Sequence, residues 1–306
     1  MDEQSIFEAL GGYADLPLME DVDLIRRLRR QGRLLFPAAE VRTSARRWQR
    51  DGWVRRSATN VTLLAGYALG ASPARLAQHY FHRRPSAVVV MARAPWTGGK
   101  TRIQAGDAHA HAALREALLL DTLDAVRSAA VGDVLVACDP PSETERMRTT
   151  IGGGSDLFAQ RGESLGARMA HAFEDAFRLG YESVLLIGSD LPDLPARVLS
   201  AGWTWLARAR GQVVLGPAAD GGYYLIGLTR PHPELFEGIE WSTGTVLQET
   251  EAIAARLGLA SNRVDQWWDV DTADDLERLS HSATGGAERT RAWILRHGAE
   301  VIAGRR

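Results

Sequence analysis

The chain has 306 residues, 45% of them apolar and 24% charged, with a formal net charge of −2; these are the proportions of a globular protein holding one large α/β domain or two smaller ones. That balance argues against a general nucleic-acid binder. A single cysteine, Cys138, excludes an intramolecular disulfide and a cysteine-rich metal site, and suits a reducing cytoplasm.

The opening MDEQSIFEAL lacks the apolar run of a signal peptide. Residues 1–84 carry fourteen arginines against nine acidic residues, and their pattern is mainly helical. VTLLAGYALGA (61–71) is too short to cross a bilayer and reads as a buried helix. The other reading of 55–75 is peripheral membrane contact, with Arg55, Arg56 and Arg75 beside the apolar run. FHRRPS (81–86) is a junction, since Pro85 disfavours helix at Arg84.

From 85 to 280 the pattern alternates. SAVVVM (86–91), DVLVAC (133–138), SVLLIGS (183–189), QVVLG (212–216) and YYLIG (223–227) are short strand-like runs bounded by Gly, Pro or Asp. Helical patterns lie between them, with Leu119, Leu123 and Val126 on one face in 107–129, and Leu165, Met169, Phe173 and Phe177 in 163–179. This alternation predicts an α/β fold with a mostly parallel sheet covered by helices and ligands at the carboxyl ends of its strands. Residues 281–306 predict a terminal helix and a frayed end.

Between the first strand and the next helix lies MARAPWTGGKTRI (91–103), which holds Lys100, the only lysine in the chain. An ammonium is a compact point charge with three rotatable donors, unlike the planar fork of arginine. After two glycines it can lean over phosphates that the backbone approaches closely. The string nearly matches G-x-x-x-x-G-K-[ST], but Ala94 replaces the first glycine, and Gln104 to Asp107 intervene before the helical pattern.

Three further strings are acidic. LLIGSDLPDLP (185–195) delivers Asp190 to the sheet's carboxyl edge, where a hard cation beside a diphosphate needs carboxylates; Asp193 reads either as a cap for the helix near Pro195, the favoured reading, or as a second residue sharing the ion. In WWDVDTADDLERL (267–279), Asp269 and Asp271 fall on one side of an extended segment, and the same string also reads as a plain helix start, with Asp274 and Asp275 a solvated first turn. In GPAADGGYYLIG (216–227), Asp220-Gly221-Gly222 reads either as a hairpin turn or as a carboxylate and two glycines against a ligand.

Taken in order, these motifs resemble the GT-A-like family called radical-SAM/selenodomain-associated transferase 1, within the nucleotide-diphospho-sugar transferase superfamily. The family opens Met-Ala-Lys-Ala-Pro…Lys-Thr-Arg-Leu; here Arg93 replaces the first lysine and Ile103 the leucine, while Lys-Thr-Arg is intact. The likeness covers about 86–280 and includes the Asp-Gly-Gly-Tyr-Tyr string, Trp241, Ser242 and Thr243 of GIEWSTGTV, and the late Asp-x-Asp-Thr string. It implies a GT-A fold in which Gly98, Gly99, Lys100 and Arg102 lie across a nucleotide's phosphates. Asp190 and Asp271, with Asp269 second in line, would hold Mg²⁺ or Mn²⁺; Asp220, Gly221, Gly222, Trp241 and Ser242 would line the sugar or acceptor pocket. The implied catalytic residues are Lys100, Asp190 and Asp271. The implied activity is glycosyl transfer from a nucleotide-sugar donor to a small-molecule acceptor in the cytoplasm, without nucleic acid. The alternatives are nucleotidyl transfer to a phosphate or carboxylate, and a non-catalytic nucleotide-binding or scaffold protein.

Residues 6–80 carry a second resemblance, to the acceptor-side, C-terminal part of family 2 glycosyltransferases, especially radical-SAM/selenodomain-associated transferase 2. Glu20-Asp21 match that family's base-bearing pair and SARRWQR (44–50) its basic-tryptophan motif. A donor half has no room before residue 6, and a base without a donor site transfers nothing. The segment is expected to be a remnant, the alternative being half of a site completed by a partner chain.

Overall fold

A computed structural model of the chain describes residues 20–32, 53–72, 86–98, 103, 107–153, 155–208 and 211–303. Two compact units, Met1–Arg83 and Arg84–Arg306, divide it. The described part of the first consists of helices α1 (Glu20–Gln31) and α2 (Trp53–Ala68). Leu63 is buried there with Val22, Tyr67 and Ala71 packed against it, and the Arg26 guanidinium lies 4.5 Å from the Tyr67 ring centre. Val61, Leu64 and Leu69 are exposed. No helix among the described residues is long and apolar enough to cross a membrane. Glu20 and Asp21 open α1, but their side chains lie outside the described residues, as do Arg75 and the 44–50 motif.

The second unit is a seven-stranded sheet in the order β3-β2-β1-β4-β6-β5-β7, parallel except for β6. In chain order its elements are β1 (Ser86–Arg93), α3 (Ala108–Ala129), β2 (Asp133–Asp139), α4 (Thr144–Ile151), β3 (Asp156–Ala159), α5 (Leu165–Arg178), β4 (Ser183–Gly188), α6 (Ala196–Arg208), β5 (Gln212–Pro217), β6 (Tyr223–Leu228), α7 (Val246–Arg256), β7 (Ala260–Arg263), α8 (Ala273–His281) and α9 (Glu288–Ala303). The β-branched run of β1 is central because it is apolar on both faces. Val88 and Val90 pack with Leu119 and Leu123 of α3 and Leu199 of α6, while Ala87 and Val89 pack on the other face with Phe173 of α5 and Ile253 of α7.

The five strands expected from the sequence are all present. The two edge strands, β3 (DLFA) and β7 (ASNR), were not expected, because four residues without apolar alternation give no period to read. Their place comes from pairing: Ala260–Arg263 lie in register beside Gln212–Leu215. On α5 the predicted face holds for Met169 and Phe173, but Leu165 is half exposed, since it opens the first turn beyond the Ser164 cap.

A third cluster lies outside the two sheet faces. Ile103, Leu114, Leu118, Trp268, Val270, Leu276, Trp293 and Val301 are buried together, so α9 packs into the same unit as the sheet. The N-terminus of α9 is capped from a distance by Asp121 of α3, whose Oδ2 accepts from the Thr290 N–H at 2.7 Å and the Thr290 hydroxyl at 2.8 Å, and whose Oδ1 accepts from Arg289 Nη1 at 3.0 Å. Asp121→Ala leaves the buried Thr290 N–H and hydroxyl without this acceptor, while Arg289 keeps Asp124 at 2.6 Å. The expected loss is on the order of 2–4 kcal/mol by chemical denaturation; an unchanged unfolding midpoint would contradict the cap.

Candidate active site

The parallel strands all end at one edge. There, β4 runs through Gly188 and Ser189 into Asp190. A Cβ on Gly188 would stand 2.6 Å from Asp190 Oδ1, so the glycine gives the carboxylate room to fold back over the strand end. The turn that follows is held on two sides by backbone bonds: Leu191 N–H donates to the buried Thr122 hydroxyl at 3.0 Å, and the Asp190 carbonyl accepts from Val270 N–H at 3.0 Å.

That second bond explains how distant carboxylates meet. After β7 the chain crosses the edge: Val264 N–H bonds the Leu215 carbonyl, Trp267 N–H the Pro217 carbonyl, and Val270 N–H the Asp190 carbonyl. Val270 is fully buried in the third cluster, so period-2 alternation turns Asp269 and Asp271 the other way, toward Asp190. Carboxylate oxygens of Asp190, Asp269 and Asp271 lie within 4.8 Å of one another, on half-buried side chains. Three hard oxygen donors at that spacing are a donor set suited to Mg²⁺ or Mn²⁺. Thr272 and Asp275 then form a reciprocal capping box for α8, so Asp275 is a structural partner and not simply a solvated residue. Asp193 differs from expectation as well. It caps no helix; its buried carboxylate accepts from the Thr284 hydroxyl at 2.6 Å.

The β1 exit is fastened to the β2 exit. Ala94 N–H bonds the Asp139 carbonyl at 2.7 Å, Trp96 Nε1 donates to Glu143 at 2.6 Å, and Arg146 lies 3.9 Å from the Trp96 ring centre. Gly98, at φ +98°, begins the loop in the left-handed region. Gly99, Lys100 and Arg102 lie outside the described residues. The loop's far side reappears at Ile103, buried in the third cluster beside Val270.

Three polar residues at this edge went unnoticed in the sequence. Asp139 pairs with Arg93 at 3.4 Å and Arg168 at 3.2 Å, and Gln160 Nε2 donates to the carbonyls of Ala137 at 2.8 Å and Ala92 at 3.3 Å, bridging the β1 and β2 exits. The signal for Gln160 and Arg168 is the strand-to-helix string AQRGESLGARM (159–169), with glycines at 162 and 166, and that for Asp139 is the acid that ends DVLVACD (133–139). The Cys138 thiol beside them is pushed up to about 11 by burial, then by the charges of Asp139 and Glu143, so it is protonated at neutral pH and is no nucleophile.

Asp220-Gly221-Gly222 forms the β5–β6 turn at the same edge. Asp220 Oδ1 accepts from Gly222 N–H at 2.9 Å, which is the turn chemistry of the hairpin reading. Gly221 stands at φ +89°, its carbonyl accepts from Leu247 N–H, and a Cβ on it would lie 2.1 Å from the Gly244 carbonyl oxygen. This turn and the 242–247 loop are therefore locked together. Gly221→Ala should cost on the order of 2–5 kcal/mol through clash and backbone strain combined, read as a lowered denaturation midpoint. Trp241 packs edge-on to Tyr223 and against Gly166, where a Cβ would stand 2.8 Å from its ring. Ser242 holds φ +70°, and neither it nor Thr243 caps α7, whose cap residue is Thr245.

A family profile described as "Uncharacterized protein conserved in bacteria (DUF2064)" matches residues 122–243. Among solved structures, a provisionally named nucleotide-diphospho-sugar transferase from Desulfovibrio desulfuricans G20 is 29% identical, covering 72% of this chain and 97% of its own, with a TM-score of 0.62. The sheet is thus of the nucleotide-diphospho-sugar transferase type. Two more distant matches are CMP:2-keto-3-deoxy-manno-octonic acid synthetase complexed with CTP (15% identity, 69% of this chain and 99% of that one, TM-score 0.43) and a Mycobacterium tuberculosis H37Rv protein in complex with manganese (18%, 65% and 98%, TM-score 0.41). At those TM-scores neither bears on function. No curated protein matches the chain.

Proposed function

We propose that the chain is a metal-dependent transferase that uses a nucleotide-activated sugar and passes the glycosyl group to a small-molecule acceptor. The observation that carries this reading is the meeting of Asp190, Asp269 and Asp271, from two separate segments, at the carboxyl edge of a sheet of nucleotide-diphospho-sugar transferase type. The similarity to the Desulfovibrio protein supports the donor class. Asp190 and Asp271, with Asp269, would hold Mg²⁺ or Mn²⁺, which supplies Lewis-acid stabilisation to a departing diphosphate. Lys100 and Arg102 offset phosphate charge from the loop behind Gly98 and Gly99, and Asp220 with its glycines and Trp241 border the acceptor side. In this reading residues 85–280 carry the reaction. Residues 1–84 are an acceptor-side-like segment, and 281–306 follow as a C-terminal helix and tail.

The test is a thermal-shift screen of nucleotides and nucleotide sugars with and without Mn²⁺, since a ligand bound to the native state raises its melting temperature. Product analysis follows with the stabilising donor. Release of a nucleoside diphosphate is expected. Release of pyrophosphate from a nucleoside triphosphate would reassign the chain to nucleotidyl transfer, and binding without turnover over a broad acceptor set would leave a nucleotide-binding protein.

A further inference from the structure

The turn that presents Asp190 is short. Leu194 N–H bonds the Leu191 carbonyl, closing a turn over Leu191–Leu194 that Asp190 directly precedes and in which Asp193 is the third residue. Asp193 is 3% exposed, and its Oδ1 is buried without a hydrogen-bond partner. Its Oδ2 is held by two hydroxyls of the segment between α8 and α9, Thr284 at 2.6 Å and Ser282 at 3.5 Å. A buried carboxylate with so few donors depends heavily on the closest one.

The segment that brings Thr284 is itself firmly fixed. The Arg291 side chain donates to the carbonyls of Ser282 and Thr284 at 3.0 Å each and to that of Gly286 at 3.2 Å. Arg291 belongs to α9, whose first turn is anchored on Asp121 and whose Trp293 donates to the Ala110 carbonyl at 3.0 Å. Thr284 is thus tied to α3 through α9, and the Asp190 turn is tied to α3 directly through Thr122. Both sides of the turn rest on one helix.

We infer that Thr284 is a positioning residue for Asp190: its hydroxyl fixes the Asp193 carboxylate, and Asp193 fixes the turn that directly follows the metal-facing carboxylate. Residues 281–303 are then part of the site's scaffold and not an appendage to it. The inference rests on the metal reading given above. Asp193 acts through its shape and its acceptance of hydroxyls; the oxygens of Asp190, Asp269 and Asp271 form the cluster without it.

The experiment titrates the full chain with Mn²⁺ alone, following free Mn²⁺ by electron paramagnetic resonance, with melting temperatures recorded for every variant. Thr284→Val keeps the shape and removes the donor; its Mn²⁺ affinity should fall roughly tenfold, as it does when outer-shell partners are lost. Thr284→Ser restores the hydroxyl and should stay within about twofold of the parent. Asp193→Asn keeps an acceptor for Thr284 and should also retain affinity, whereas Asp190→Asn should not. Parent-like affinity in Thr284→Val overturns the inference, and so does a loss in Asp193→Asn as deep as that in Asp190→Asn, which would make Asp193 a ligand. Equal losses in Thr284→Val and Thr284→Ser would overturn it as well, by reducing Thr284 to a packing residue. Failure of the parent protein to bind Mn²⁺ overturns the metal reading itself, and is distinguishable because it appears before any variant is made.

Discussion

Asp190→Asn should abolish Mn²⁺-dependent nucleotide binding while the melting temperature of the metal-free protein stays level or rises slightly. The backbone bonds that hold the turn do not need the charge. The backbone carbonyl of Asp190 still accepts from Val270 N–H, Leu191 N–H still reaches Thr122, and asparagine fits the space above Gly188. What the substitution removes is one of three negative charges gathered within 4.8 Å. Like charges at that spacing repel by about 1–3 kcal/mol per pair in a half-solvated setting, so neutralising one relieves the metal-free protein. The same neutralisation removes a ligand a hard divalent cation requires. Saturating Mn²⁺ should therefore raise the melting temperature of the parent and leave that of the variant unmoved. Equal shifts in the two would remove Asp190 from the metal site and, with it, the main support for the proposed chemistry.

What could be read from the sequence follows from how local each signal is. The five inner strands were legible because burial on both faces writes a continuous apolar run, as in SAVVVM. Asp190 was legible because a hydrophobic strand ending in an acid places that acid at the sheet edge. The alternation of Asp-Val-Asp put Asp269 and Asp271 on one side, but not beside Asp190. Their meeting depends on three backbone bonds across strand ends, to Leu215, Pro217 and Asp190, that no periodicity records. Gly188 carries its meaning only in three dimensions, as the space under a carboxylate. An acid two residues before Pro195 fits a helix cap locally, but a threonine ninety-one positions away supplies the partner of Asp193 instead. Ile103 looked like a conservative replacement at a motif's end. Its burial with Val270 and Trp293 shows that it anchors the loop's far side to the core beneath the acidic cluster.

That anchoring bears on Lys100, the one lysine among thirty-five arginines. The loop leaves the β1 exit at Gly98, behind the Trp96 clamp, and must return at Ile103. If the task of Lys100 is a point charge close to a diphosphate, Lys100→Arg will not restore function by keeping the charge, because a planar fork cannot occupy the place of a compact ammonium. Lys100→Arg and Lys100→Met are both expected to lose most donor affinity. Loss of one charge-assisted hydrogen bond amounts to about 1.5–3 kcal/mol, or roughly ten- to over a hundredfold in affinity. Donor titrations in saturating Mn²⁺ check this. The methionine variant should retain Mn²⁺ binding in the absence of donor, because the acidic cluster is built from other segments. Parent-like donor affinity in the arginine variant, with a loss in the methionine variant, would mean that the loop needs only a positive charge. The geometry of the ammonium would then have no part in binding the donor.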